Sequence, residues 1–234
     1  MDDCLNLEFF YQLERKGKKS VIEWCMEKRL ITRSYKCPIC KTDMKLVERK
    51  NCLDGFEWMC RVTRGECKHR ISRSVRKDSW FTKSKLSMCD ILRVTYMWLG
   101  KCRNDFIRSE LGVAKNTVTC WKSFCREVCI ELCLKENIMR DEEDAPQATE
   151  QLDSYLAEHM WRRQKKESNT CKLMQIFLNN ISTVYSVKVK ADHCVYEENN
   201  STEKIAESYL EKEYAYSAEL HYVSKLKRNK KCIM

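Results

Sequence analysis

The chain has 234 residues, of which 43% are apolar and 33% are charged, and it contains only 5 Gly and 2 Pro. This composition excludes collagen-like repeats, low-complexity disorder and folds rich in tight turns, and it favours helix. No apolar stretch approaches the roughly 18 residues that a membrane-spanning helix needs. The acidic start, Met1 to Leu5, lacks the features of a secretory signal. We therefore expect a soluble intracellular protein.

Positive charge is concentrated in the first part of the chain. Residues 1–135 carry 29 Lys and Arg against 17 Asp and Glu, whereas residues 136–234 carry 15 against 17. The formal net charge of +10 therefore comes from the first part alone. A basic surface kept only for solubility does not require this asymmetry, so the sequence favours a nucleic-acid partner.

Hydrophobic spacing and shifts in composition divide the chain into six segments. Short runs of β-branched and aromatic residues and the turn signal Asp54-Gly55 mark a β element, and an acidic run before Pro146 marks a linker. We predict N-terminal helices over residues 1–34, the β element over 35–82, a helical region over 83–136, the linker over 137–149, further helices over 150–190 and a polar helical tail with a basic end over 191–234.

Apolar residues at helical spacing predict which faces pack in the core. In the helical region one face has Met88, Ile91, Leu92, Trp98 and Leu99, and another has Val118, Trp121, Cys125, Val128, Cys129 and Leu132. After the linker, Leu152, Leu156 and Met160 share one side, and a further helix aligns Leu173, Ile176, Phe177, Ile181 and Val184.

The β element contains cysteines at the spacing of zinc ligands. In Cys37-Pro-Ile-Cys40 a tight turn delivers two thiolates to one side of an ion, and Cys60 and Cys67 supply two more across a hairpin. The gap between Cys60 and Cys67 is wider than usual, so Cys52 or His69 remains an alternative fourth ligand. We predict a structural Zn²⁺ in a zinc ribbon, because four thiolates leave no open position for catalysis and no βαβ context supports redox chemistry.

We expect the 16 cysteines to be reduced, since disulfides are rare in intracellular proteins. Those at helix-periodic positions, Cys89, Cys125, Cys129 and Cys133, are interpreted as small core residues.

Residues 105–126 have the pattern of a helix-turn-helix. Asp105 to Gly112 predicts a short helix that ends on glycine, Val113 and Ala114 form the turn, and a longer helix follows. In this motif the second helix lies in the major groove. We predict that Lys115, Asn116, Thr119, Lys122 and Arg126 face DNA, while Val118, Trp121 and Cys125 pack inward. The alternative is a helix pair that serves only as scaffold.

A basic segment, Arg70 to Lys77, precedes Trp80 and Phe81. We predict that Arg73, Arg76 and Lys77 follow the phosphate backbone, and the alternative is a solvated loop. The fold expected from all these elements is mainly α with a small β zinc ribbon, a helix-turn-helix bundle and a C-terminal helical segment.

The order of these motifs resembles that of the ISXO2-like (Merlin) transposases. The resemblance rests on Cys-Pro-x-Cys at 37–40, Trp58-Met-Cys60, the stretch from Ser72 to Phe81, and the stretch from Glu110 to Val118. It resumes at 152–163 and 177–185, which resemble the C-terminal end of that family. The resemblance implies a zinc ribbon and a helix-turn-helix placed before a catalytic domain.

The catalytic domain of that family, an RNase H-like fold whose acidic (DDE) residues bind two divalent metals, has no counterpart here. Such a domain needs on the order of 100 residues, whereas ten residues separate Arg140 from Gln151. The consecutive acidic residues 141–144 are interpreted as linker, so we assign no catalytic residue and expect no enzymatic activity.

We therefore expect a transposase-derived, zinc-dependent protein that binds double-stranded DNA and has neither a membrane nor a small-molecule partner. The basic cluster from Lys225 to Lys231 favours the nucleus. Two alternatives are a subunit that acts with a full-length transposase in trans and a remnant interaction scaffold. Exposed Leu152, Met160, Leu173 and Phe177 would need a partner, which predicts a homo-oligomer.

Overall fold

The computed structural model describes residues 4–65, 68–82, 84–135 and 150–193. In chain order its elements are α1 (Leu7–Arg15), α2 (Lys18–Glu27), β1 (Lys45–Glu48), β2 (Phe56–Val62), β3 (His69–Ser74), α3 (Met88–Leu99), α4 (Asn104–Leu111), α5 (Lys115–Lys135), α6 (Glu150–Lys165) and α7 (Thr170–His193). The prediction of a mainly helical chain with one small β element is confirmed. Within the described part, residues up to 189 belong to one compact unit, and residues 190–193 belong to a second.

The N-terminal segment forms two helices, as its spacing predicts. Asn6 caps α1, since its Oδ1 accepts a hydrogen bond from the backbone N–H of Phe9 at 2.8 Å. Gly17 adopts a φ of 100° between the helices, a value that side chains other than glycine rarely tolerate. The buried Arg93 of α3 pairs with Glu14 of α1, and it also pairs with Asp90 at 2.7 Å. The pair with Glu14 attaches α1 to α3.

The β element is a three-stranded antiparallel sheet in the order β1-β2-β3. Leu46 lies opposite Trp58, and Trp58 lies opposite Arg73. The turn between β1 and β2 contains Gly55, whose φ of 74° is left-handed, as expected for the Asp54-Gly55 signal. The central strand is the most buried of the three and contains Trp58 and Cys60, which are 5% and 7% exposed.

Helix α3 is the centre of the helical core. Ser87 caps it, with its Oγ accepting a hydrogen bond from the N–H of Asp90 at 2.9 Å. Both predicted apolar faces of the helical region are buried, including all five residues on α3 and all six on α5.

Helices α6 and α7 pack on this core through aromatic rings. Phe177 lies 5.1 Å from Trp98 and 5.3 Å from Trp161, measured between ring centroids, and Trp80 lies 5.2 Å from Trp121. The predicted burial of α7 is confirmed for Leu173, Phe177, Ile181 and Val184. The expectation that Leu173 and Phe177 require a separate partner is therefore wrong, because the chain itself covers them.

The interior face of α6 differs from the predicted one. Ala157 and Trp161 are 0% and 1% exposed, whereas Leu156 is 42% exposed. Leu156 and Met160 are four residues apart, and so are Ala157 and Trp161, so spacing alone does not separate the two faces. The face with Trp161 packs inward, because its ring lies against Trp98 of α3 and Phe177 of α7.

The oxidation state of one pair of cysteines also differs from expectation. Cys4, just before α1, forms a disulfide with Cys171 in the first turn of α7. The expectation that all cysteines are reduced is therefore wrong for these two residues. Cys89, Cys125, Cys129 and Cys133 are buried in the core, as predicted.

The linker at 137–149 and the tail from 194 onward lie outside the described residues. Among the described helices, none combines the length and the apolar character needed to cross a membrane.

Candidate metal centre and nucleic-acid interface

Three cysteines and one histidine converge at one end of the sheet. The ligand atoms of Cys37, Cys40, Cys60 and His69 all lie within 4.8 Å of one another. His69 Nε2 lies 3.3 Å from Cys37 Sγ and 3.4 Å from Cys60 Sγ, and the Sγ atoms of Cys40 and Cys60 are 3.5 Å apart. A tetrahedral zinc with bonds of about 2.3 Å to sulfur requires separations of roughly 3.5–3.8 Å, so the four residues could hold a metal ion.

Local backbone structure brings Cys37 and Cys40 to the same side. The N–H of Cys37 donates to Thr42 O at 2.8 Å, and the N–H of Lys41 donates to Cys37 O at 2.9 Å. Lys41 adopts a left-handed φ of 59°, which closes the turn. The other two ligands come from paired strands: Cys60 lies opposite Ile71, and His69 lies opposite Val62, two positions further along β2. The paired strands β2 and β3 thus place the side chains of Cys60 and His69 beside the turn that contains Cys37 and Cys40.

The thiols of this cluster differ in acidity. A hydrogen bond with the Thr42 hydroxyl, at 2.9 Å, lowers the pKa of Cys40 to about 6, so Cys40 is mainly a thiolate at neutral pH. Burial and the neighbouring thiols raise the pKa of Cys60 to about 11, so Cys60 keeps its proton until a cation displaces it. Binding of a metal ion at this site would therefore release protons.

Three of the four predicted ligands, Cys37, Cys40 and Cys60, lie in the cluster. The fourth member within the described part is His69, which the sequence offered as an alternative. Cys67 lies outside the described residues, so its prediction stays untested. The other alternative, Cys52, points elsewhere, because its Sγ lies 3.3 Å from Arg49 O and 3.5 Å from Phe56 O. His69 is brought to the cluster by its pairing with Val62 in the sheet, and the spacing between the cysteines gives no information on that pairing.

Helices α4 and α5 form the predicted helix pair. Gly112 ends α4 with a left-handed φ of 63°, and its N–H donates to Arg108 O at 2.9 Å. Ile107 of α4 and Val118 of α5 are both 0% exposed and fix the two helices to the core. The first turn of α5 is polar and open, since Lys115, Asn116 and Thr119 are all exposed.

Further along α5, the side chains of Lys122 and Arg126 are not open to solvent, although the sequence predicted that they face DNA. Arg126 is 7% exposed, and its guanidinium lies 4.3 Å from the centre of the Tyr155 ring. Lys122 is half-buried and donates from Nζ to Cys102 O at 2.8 Å. Helix α6 covers this part of α5, and periodicity within α5 could not reveal that neighbour.

The basic segment around β3 contributes less exposed charge than predicted. Arg76 is 5% exposed and binds the carboxylate of Asp54, whereas the predicted phosphate contact requires an exposed side chain. Arg73 is half-buried and donates to Ser72 O at 3.0 Å. Lys77 pairs with Asp78 at 2.5 Å, and its ammonium lies 5.5 Å from the centre of the Tyr35 ring.

A pair of arginines that was not among the predicted contacts lies on the same sheet. Arg61 of β2 and Arg70 of β3 lie directly opposite one another in register, and both are exposed. Like charges at opposed positions destabilise a strand pair. An anion shared between the two side chains would remove that cost, which makes the pair a candidate phosphate contact.

Comparisons with protein-family models, with curated proteins and with solved structures found no match to this chain.

Proposed function

We propose that the chain is a zinc-dependent protein that binds duplex DNA through the first turn of α5. The observation that carries the proposal is the open, polar start of this helix. Lys115, Asn116 and Thr119 are exposed there, one turn from residues that fix α5 on α4. Asn and Thr side chains are able to read base edges, and Lys holds phosphate. The excess of basic residues in 1–135 supplies the attraction to a polyanion.

The proposed metal role is structural. Zn²⁺ would be held by Cys37, Cys40 and Cys60 with His69 as the fourth ligand, a Cys₃His set that is common in structural zinc sites. Six residues after the end of β3, the indole of Trp80 packs edge to face on Trp121 of α5. The metal would therefore stabilise the platform that supports the DNA-binding helix.

The proposed origin is an ISXO2-like transposase that has lost its nuclease. Its support is the co-linear order of the sequence motifs between Cys37 and Tyr185. We assign no catalytic residue and propose binding without strand cleavage, in the nucleus. Cleavage of DNA by the purified chain with Mg²⁺ would contradict this part of the proposal.

The test is a selection from random duplexes by the full chain loaded with zinc, followed by affinity measurements at two salt concentrations. We expect an enriched motif that is lost on chelation. Lys115→Gln should weaken binding and reduce the slope of log K against log salt by about 1, because one phosphate contact is removed. Asn116→Ala should relax the preference at one base position.

The matched control is Lys172→Gln, which removes the same charge from an exposed side chain of α7. It should leave both affinity and motif unchanged. Binding without any motif, or an equal loss in the Lys115 and Lys172 variants, would contradict recognition by α5 and leave only non-specific attraction.

A further inference from the structure

A cationic groove of about 410 Å³ lies between α5, α6 and the turn that joins α3 to α4. Four of its lining residues are cations, Lys101, Lys122, Arg126 and Arg162, and a single carboxylate, Glu158, lies among them. The groove therefore has a formal excess of three positive charges when His159 is neutral. Such an excess within a concave site is typical of anion binding.

The single carboxylate does not neutralise the cations around it. Glu158 accepts from Nε of Arg162 at 2.9 Å and lies 4.0 Å from Nη1 of Arg126, so two guanidiniums share it. Lys122 makes its 2.8 Å hydrogen bond to a neutral acceptor, the Cys102 carbonyl. Two of the three ammonium protons of Lys122 are left for another acceptor.

The excess of positive charge is energetically costly because part of it is buried. Arg126 is 7% exposed, and its Nε is buried without a hydrogen-bond partner among the described residues. Burial also lowers the pKa of Lys122, as expected for an ammonium without a carboxylate partner. A buried cation is stabilised by an opposite charge, so an anion in this groove would lower the free energy of the folded protein.

We propose that this groove binds a phosphate group. Lys122 and Lys101 supply ammonium groups, which bind phosphate as point charges, and the buried guanidinium of Arg126 adds positive charge behind them. The groove is larger than one phosphate, and its volume lies within the range of small-ligand pockets. Trp98 and Tyr155 add aromatic surface to its wall. The phosphate belongs either to a free phosphoanion or to a nucleic-acid backbone, and the proposal does not rest on sequence reading by α5.

The experiment titrates pyrophosphate into the full chain at constant ionic strength and follows heat by calorimetry. We expect saturable binding to one site. Lys122→Gln should weaken it about tenfold, the effect of losing one charge-assisted hydrogen bond. Lys101→Gln should weaken it as well, and because the Lys101 side chain is exposed, this variant should fold like the wild type. Lys172→Gln on α7 is the matched control and should bind like the wild type.

A second titration uses a short duplex with the same variants and separates the two sources of phosphate. Pyrophosphate binding that both groove variants weaken identifies a free phosphoanion site. Duplex binding that both groove variants weaken, in a chain that does not bind pyrophosphate, identifies a backbone phosphate. Groove variants that change neither titration overturn the proposal, even if Lys115→Gln weakens duplex binding. Pyrophosphate binding that is unchanged in both groove variants also overturns it, because the ion then lies elsewhere.

Discussion

The guanidinium of Arg76 forms a two-point ion pair with the carboxylate of Asp54. Nε donates to Oδ2 at 2.6 Å, and Nη2 donates to Oδ1 at 2.5 Å. The remaining nitrogen, Nη1, donates to the carbonyl oxygens of Ser84 and Leu86 at 3.2 and 2.8 Å. One buried side chain thus joins the β1–β2 turn to the segment that leads into α3.

Replacing Arg76 should affect stability directly. Arg76→Ala leaves Asp54, whose side chain is 12% exposed, without its cation. Breaking a buried pair from one side costs about 3–5 kcal/mol, so we expect the free energy of unfolding in urea to fall by that order. Arg73→Ala, three residues earlier on β3, should change it by less than about 1 kcal/mol. If Arg76→Ala kept its stability and lost affinity for DNA, Arg76 would be the phosphate contact that the sequence predicted.

Metal content should depend on the cluster and not on other cysteines nearby. Cys60→Ser should lose the bound metal and unfold at a lower temperature, because structural zinc contributes directly to folding free energy. Cys52→Ser should keep both properties, since Cys52 lies outside the cluster. Metal per chain, measured by mass spectrometry, and melting with and without chelator provide the readout. Equal metal content in wild type and Cys60→Ser would contradict a site at this cluster.

The fourth ligand is decided by a matched pair of variants. We expect His69→Ala to weaken metal binding strongly and Cys67→Ser to change it little, because His69 Nε2 lies 3.3 Å from Cys37 Sγ. Competition with a chromophoric chelator at fixed pH measures both. The opposite ranking would assign the fourth position to Cys67.

Local patterns predicted the elements, but contacts between distant segments determined which charges are buried. The spacing of Val118 and Trp121 was enough to place the inner face of α5, since helical period alone defines it. The burial of Arg126 depends on Glu158 and Tyr155, which lie on another helix. Arg76 likewise sits in a run of basic residues, and only the fold shows that Asp54 pairs with it.

The metal cluster shows the same division. The two-residue spacing of Cys37 and Cys40 is a local signal that predicts ligands reliably. The position of His69 follows from strand register, which is set by pairing with β2 and is not encoded in the spacing of the residues around it.

The buried ring of Phe177 should be central to stability, unlike the apolar surface of α6. Phe177 is 0% exposed and contacts three tryptophans, so Phe177→Ala should lower the free energy of unfolding by about 3–5 kcal/mol. Leu156→Ala removes a side chain that is 42% exposed and should cost much less. Urea unfolding followed by tryptophan fluorescence compares the two. A larger loss in Leu156→Ala would restore the face of α6 that periodicity predicted.

Alkaline pH should destabilise the protein through its buried thiols. Burial raises the pKa of Cys89 to about 12, and burial also raises that of Cys125. Above about pH 9 the unfolded chain loses these protons while the folded chain keeps them, so the folded state binds more protons. The stability contributed by each thiol is complete below pH 9 and falls by at most about 1.4 kcal/mol per pH unit as the pH rises towards the folded pKa.

Urea unfolding at pH 7.5 and 9.5, in the same concentration of reductant, measures this dependence. We expect lower stability at pH 9.5 and a smaller difference between the two values in Cys89→Ala, which has one such thiol fewer. Cys52→Ala is the matched control, since Cys52 is only half-buried, and it should keep the wild-type difference. Stability that is equal at the two pH values would show that the buried thiols ionise as readily in the folded chain as in the unfolded one.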